Sequence, residues 1–348
     1  MTTRRKLLGA AGAAAIVALS ATSAFAENVT LKLHQFLPAQ ANVPKLILDV
    51  WADKVEAASG GEITIDRFPS MQLGGKPPEL MDQAIDGVAD IVWTVVAYTP
   101  GRFPSTEVFE LPFMMTNARA TSHAYWEMFD KHMKDTEFKD VKILGTWVHG
   151  PGIIHTSDPV ETPADLQGMK IRGGGRSVNS LLTQLGATPV GMPVPAIPEG
   201  LSKGVIDGTT IPWEVTAALK VPELVESHTE FTGKALYTLT FVLAMNKEKY
   251  ESLSDAQKAA IDENSGLEFS VFAGGTMADS DGPSREAALD NGNNVITLDE
   301  DQTAEWRNLA QPVYDKWLAD MTEKGIDGQA LLDEASYLIE KYTPQYVK

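Results

Sequence analysis

The run Lys170-Ile171-Arg172-Gly173-Gly174-Gly175 constrains this chain more than any other stretch. A short, apolar-flanked strand ends there on an arginine, and glycines free the backbone to turn before a helix expected to begin near Ser177. Such a junction suits an anion. The guanidinium is a planar, permanently charged fork matching two carboxylate oxygens, and a helix N-terminus adds backbone N–H groups and partial positive charge. An arginine at a strand end is ordinarily solvated and a glycine triplet is ordinarily a loop, so the run gains weight only from its surroundings.

Those surroundings alternate strand and helix. Val29, Leu31 and Leu33 have strand periodicity, and Val43, Leu46, Ile47, Val50, Trp51 and Val55 recur at helical spacing until Ser59-Gly60-Gly61. Ile91 to Val96, apolar except for Thr94, has the pattern of a buried parallel strand. The alternation continues through 141–148, 169–172, 178–185 and 188–190, which predicts open α/β sheets. Ser254-Asp255-Ala256-Gln257 is a capping box opening a long helix through the 250s to 280s, and helices near 303–322 and 327–342 close the chain. No Pro/Ser-rich linker or internal repeat interrupts the 348 residues, so two lobes joined by crossing strands fit better than tethered domains.

Arg4, Arg5 and Lys6, an apolar run from Leu7 to Ala21 and Ala24-Phe25-Ala26 make residues 1–26 an export signal of Sec or twin-arginine type. The mature chain is then expected in a periplasm, without a permanent membrane span. The formal charge of −18 argues against nucleic acid as a partner, and the absence of cysteine removes disulfides and thiolate metal sites. Six histidines lack zinc spacing, and there is no nucleophile elbow, Walker A or dinucleotide fingerprint, so an enzyme is not expected.

Further motifs lie in a fixed order around the arginine: Pro69-Ser70-Met71-Gln72-Leu73-Gly74, Asp165-Leu166-Gln167-Gly168-Met169-Lys170-Ile171-Arg172, Leu185-Gly186-Ala187-Thr188-Pro189-Val190 and Gly204-Val205-Ile206-Asp207-Gly208. Behind an export signal, this set resembles the DctP-type solute-binding proteins of TRAP transporters, over essentially the whole mature chain. The resemblance implies a two-lobed, periplasmic-binding-protein-like α/β fold with crossing strands and a long connecting helix. It places the ligand in the inter-lobe cleft and a TRAP permease as the membrane partner. Lobe I is expected at 27–149 plus 237–277, and lobe II at 150–236 plus 278–348.

In that family an arginine matching Arg172 grips the solute's carboxylate. Gly173 would let the backbone approach, and Phe36, Trp93 and Trp213, in or near strand ends, are either core or solute contacts. Gln72, Ile211 and Tyr237 complete the candidate ligand-binding set. A cation bridging the carboxylate to Trp213-Glu214, as in some relatives, stays open, with Glu214 its candidate ligand; no other cofactor is implied. Ile211 stands where the family often has asparagine, and Gly152 where some members carry a second arginine. Losing these polar partners disfavours a doubly charged solute and favours an organic monocarboxylate with an aromatic or branched body, 2-oxo acids included. The alternatives are a C4-dicarboxylate receptor of the same transporter type, an ABC-importer receptor and an exported hydrolase.

Overall fold

The computed structural model describes residues 28–346; the export signal expected at residues 1–26 lies outside them. Among the described residues the chain forms strands β1 (Val29–His34), β2 (Ile63–Phe68), β3 (Ile91–Val95), β4 (Val141–Val148), β5 (Ile153–Thr156) and β6 (Lys170–Gly173). It continues with β7 (Thr188–Gly191), β8 (Gly208–Ile211), β9 (Ser227–Phe231), β10 (Thr240–Asn246) and β11 (Asn294–Leu298). They make two sheets, ordered β2-β1-β3-β10-β4 and β11-β9-β5-β8-β6-β7. Every residue of β3 and of β10 is buried, as expected for strands covered on both faces.

Both sheets are mixed rather than parallel. β1 runs parallel to β2 and β3, and β6 runs parallel to β7 and β8, but β10 is antiparallel to both neighbours and so is β5. These two exceptions share a cause. β4 passes directly into β5 and β9 directly into β10, so each arrives from the other sheet without a returning helix and enters against the local direction. The two crossings are bonded to each other: Gly152 N–H donates to the Tyr237 carbonyl (2.9 Å), Thr238 Oγ1 to the His149 carbonyl (2.9 Å) and Leu239 N–H to His149 Nε2 (3.1 Å).

Helices make the third crossing. The capping box at Ser254 forms as its sequence requires, but the long helix expected there is broken into Asp255–Asp262, Leu267–Asp279 and Asp281–Asp290. Gly266, at φ 86°, causes the first break. The second falls just before Gly282-Pro283, which a first helical turn tolerates and a helix interior does not. Leu267–Asp279 packs on Ala118–Met128 and β4, whereas Asp281–Asp290 packs on the segment after β8.

The C-terminal helix Gly328–Tyr346 departs from the expected grouping of 278–348 with the second lobe: it packs on Ala118–Met128, beside the first sheet. Its buried stripe of Leu331, Ala335, Leu338, Ile339 and Tyr342 covers that helix, Tyr342 stacks on His123 at 3.6 Å, and Glu334 pairs with Lys131 (2.7 Å) and His132 (2.8 Å).

Arg176 opens the helix Arg176–Gln184, a position at which an arginine is ordinarily solvated. It instead bridges Glu107 (2.6 Å), on the turn Pro104–Glu110, and Asp320 (2.9 Å), on the helix Glu300–Glu323. Glu107 is buried, and burial raises its pKa while the hydrogen bond and charge of Arg176 oppose that rise. With the guanidinium one-third exposed, Arg176→Ala is expected to cost about 1–2 kcal/mol in denaturant unfolding at neutral pH. Unchanged stability would show that the bridge contributes nothing.

Candidate functional site

Arg172 lies in β6, between β7 and β8, and is fully buried. Its Nε donates to the Met192 carbonyl (2.9 Å) and Nη1 to the Thr210 carbonyl (3.0 Å), which fix the plane of the guanidinium. Its Nη2 has no partner, and no carboxylate among the described residues comes within ion-pair distance. A buried charge balanced only by neutral carbonyls is expensive, and an incoming anion is the natural counter-ion.

The glycines after it serve a different purpose from the expected turn. None of the three has positive φ. A Cβ on Gly173 would fall 2.1 Å from Asn179 Oδ1, one on Gly174 2.6 Å from Leu239 Cδ1, and one on Gly175 2.8 Å from the Ala97 Cβ. The triplet therefore lets the following helix, the β9–β10 crossing and the residues after β3 close in around the arginine. Gly173 faces an outer concavity with Tyr98 and Met192 rather than the enclosed cavity beside Arg172.

That cavity is small, about 30 Å³, whereas surface hollows elsewhere reach about 790 and 560 Å³. Chemistry rather than size singles it out. Phe36, Leu37, Trp93, Val95 and Phe241 line it from the first sheet's side, and His149, Tyr237 and Leu239 from the crossings. Arg172, Val194, Ile211, Pro212, Glu214 and Val215 line the second side, and Met277 lies on the connecting helix. Phe36 stacks on Trp93 (4.5 Å, 17°), Trp93 on Phe241 (5.5 Å, 13°) and Phe241 on Trp147 (6.2 Å, 14°), an aromatic wall built from neighbouring strands.

Four buried polar atoms on lining residues have no hydrogen-bond partner: Arg172 Nη2, Tyr237 Oη, Trp93 Nε1 and Glu214 Oε1. Burial pushes Tyr237 up to about 12, so its hydroxyl stays neutral. His149, whose Nε2 accepts from Leu239 and whose Nδ1 faces the Gly150 carbonyl, is lowered to about 4 by burial, with the Arg172 charge adding to the effect. It is neutral at physiological pH, which leaves Arg172 as the cation facing the cavity.

Of the candidates read from the sequence, Arg172, Phe36, Trp93, Ile211, Tyr237 and Glu214 meet at this cavity. Trp213 does not. Its ring packs with Ile153 and Ala288 and lies against His155 and His228, and its indole N–H donates to Glu230 (2.7 Å). The end of β8 explains this: the strand stops at Ile211, and Trp213–Val215 form a single helical turn that presents Glu214 and Val215 to the cavity while the Trp213 ring turns to the other side. Gln72 is an exposed turn residue away from the cavity. At Gly152 a Cβ would lie 2.1 Å from the Tyr237 ring, so this aromatic side chain fills the space where a larger residue at 152 would project. Glu214 is raised to about 8 by burial, with Asp281 adding to the effect, and no group of three or more His, Asp or Glu suited to a metal occurs among the described residues. His149 and Leu239 went unread as site residues because nothing local marks a crossing segment as ligand-facing, and Phe241 because a buried strand aromatic has the pattern of core.

The family model described as bacterial extracellular solute-binding protein, family 7 (DctP), matches residues 36–320. The chain belongs to this family. Like its relatives, this DctP protein is a TRAP-type solute receptor, from a family of receptors rather than enzymes. A TRAP solute-binding protein from Rhodoferax ferrireducens in complex with copurified benzoate is 49% identical, with a TM-score of 0.90 over 92% of this chain and 100% of that one. A marine-metagenome TRAP receptor specific for aromatic acid ligands, in complex with 3-hydroxybenzoate, is 46% identical, with a TM-score of 0.89 over 91% and 99%. A Bordetella bronchiseptica TRAP receptor with bound (R)- and (S)-mandelate is 30% identical, with a TM-score of 0.83 over 90% and 99%.

Near this site, Glu110 accepts from Thr240 N–H (3.0 Å) and Oγ1 (2.6 Å) through one oxygen, while the other has no partner; burial raises its pKa from 4.5 to about 8. A carboxyl whose pKa is higher folded than unfolded stabilises the native state fully below the unfolded value, and that contribution is lost as pH rises through the folded one. His149 and His228, lowered to about 4, act in the opposite sense, but only below about 6.5. The receptor's Tm is therefore expected to fall between about pH 6.5 and 8.5, with Glu214 and Asp281 (about 7) adding to the fall, and Glu110→Gln should flatten it. A wild-type Tm that rises across this window would contradict the assignment.

Proposed function

We propose that this receptor is exported to the periplasm, captures an aromatic monocarboxylate between the residues lining the cavity, which widens from about 30 Å³ to admit a ring, and delivers it to a TRAP permease. The observation that carries this reading is the buried, counter-ion-free Arg172 beside an aromatic wall. One carboxylate oxygen accepts from Nη2 and the other lies within the same donor-rich end, where the Tyr237 hydroxyl is unengaged. The ring packs against Phe36 and Trp93. Receptors of benzoate, hydroxybenzoate and mandelate among the similar structures support the same class of solute. We assign the first lobe to the first sheet with the helix Gly328–Tyr346, and the second to the second sheet with Glu300–Glu323, so that solute contacts both and favours their closure.

A C4-dicarboxylate fits less well. Its second charge would meet apolar side chains or the carboxyl of Glu214, and the ring of Tyr237 crowds Gly152. Burying that charge without a partner costs several kcal/mol.

Calorimetric titration with benzoate tests the arginine. Removing one partner of a buried charge pair costs about 2–5 kcal/mol, so Arg172→Ala should weaken binding at least about thirtyfold. Arg172→Lys, which keeps the charge without the fork, should retain part of the affinity. Wild-type affinity in a folded Arg172→Ala protein would refute the role. In a thermal-shift series, benzoate and its hydroxylated or branched analogues are expected to stabilise the protein more than succinate or malate; the reverse order would favour the dicarboxylate reading.

A further inference from the structure

One lining group has no use in gripping a carboxylate. Glu214 is 2% exposed and faces the cavity, and its Oε1 has no partner among the described residues. Its backbone is held from three directions: the N–H donates to Asp281 (2.8 Å), and the carbonyl accepts from Asn42 Nδ2 (3.0 Å) and Ser284 Oγ (3.4 Å). The side chain is thus anchored on the cavity wall while its carboxyl is left unengaged. An apolar residue there would avoid the cost of burying a polar group without a partner.

Position along the chain separates this group from the carboxylate grip. Arg172 bonds the carbonyl of Thr210, and Glu214 lies four residues further on, with Ile211 and Pro212 lining the wall between them. A planar acid reaching from Arg172 along that wall would bring a ring position, not its carboxylate, to Glu214. The group met there should pair with Glu214 whether its carboxyl is protonated or ionised. A second carboxylate pairs only with the protonated form and is repelled by the ionised one, and an ammonium would share the cavity with the guanidinium of Arg172. A hydroxyl is neutral, small and a donor, and a carboxyl oxygen accepts its hydrogen whether or not the acid is ionised.

We propose that Glu214 is a specificity-determining residue that accepts a hydrogen bond from a hydroxyl on the solute's ring, so that the preferred solute class is hydroxylated aromatic monocarboxylates. This rests on the aromatic-monocarboxylate reading and narrows it. A site with a buried acceptor discriminates against the analogue lacking the donor because the acceptor is then left unpaired.

The test is calorimetry with benzoate, 3-hydroxybenzoate and 4-hydroxybenzoate. In the wild type at least one hydroxylated isomer is expected to bind about tenfold or more tightly than benzoate. Glu214→Met should bring that ratio towards one, and Glu214→Gln, which keeps an acceptor oxygen, should preserve part of it. Equal wild-type binding of all three acids overturns the inference and leaves the monocarboxylate reading standing. A preference that survives in Glu214→Met also overturns it. Because the wild-type comparison and the glutamine variant stand alone, a methionine variant that fails to fold does not rescue the idea. If none of the three acids binds the wild type, the aromatic-acid reading fails first and the inference falls with it.

Discussion

A guanidinium held in the interior without a counter-ion is the constraint around which the rest of this structure is arranged. Two backbone carbonyls orient Arg172, but neutral acceptors do not cancel a charge, and the remaining Nη2 has nothing to donate to. Burial at this depth costs several kcal/mol unless an anion arrives. The neighbours avoid supplying one. His149 is neutral, Tyr237 and Tyr98 keep their phenol protons, and Glu110 and Glu214 are pushed towards the protonated form. The resulting field favours a single negative charge from outside.

The same segments join the two sheets and line the cavity. His149, Tyr237 and Leu239 line the cavity and also bond the two inter-sheet crossings together. Nearby, Arg176 ties the turn Pro104–Glu110 to the helix Glu300–Glu323. In the function proposed above, a solute touching Phe36 and Trp93 on one side and Arg172 and Ile211 on the other would shift the balance between open and closed states, because those contacts would exist together only when the lobes meet.

Much of this was legible along the chain because it is local. The ordered motifs, the capping box at Ser254, the buried pattern of Ile91–Val95 and the strand ending at Arg172 all depend on neighbours a few residues apart. The breaks at Gly266 and Gly282-Pro283 were also written locally, yet the capping box at Ser254 suggested one long helix through them. The bridge of Arg176 had no local sign, because its partners, Glu107 and Asp320, are remote in sequence.

The sequence by itself determined the alternation of elements, the export signal's pattern, the family and the arginine suited to a carboxylate, since periodicity, turn chemistry and side-chain charge are properties of short stretches. Only the tertiary structure decided the rest. It turned Trp213 away while Ile211 and Glu214 faced inward, and it packed Gly173, Gly174 and Gly175 against Asn179, Leu239 and Ala97. It also set the ring of Tyr237 against Gly152 and brought Phe36, Trp93 and Phe241 into one stack. These outcomes depend on which strands cross between sheets and in which direction, and that is set by contacts between residues far apart in the chain.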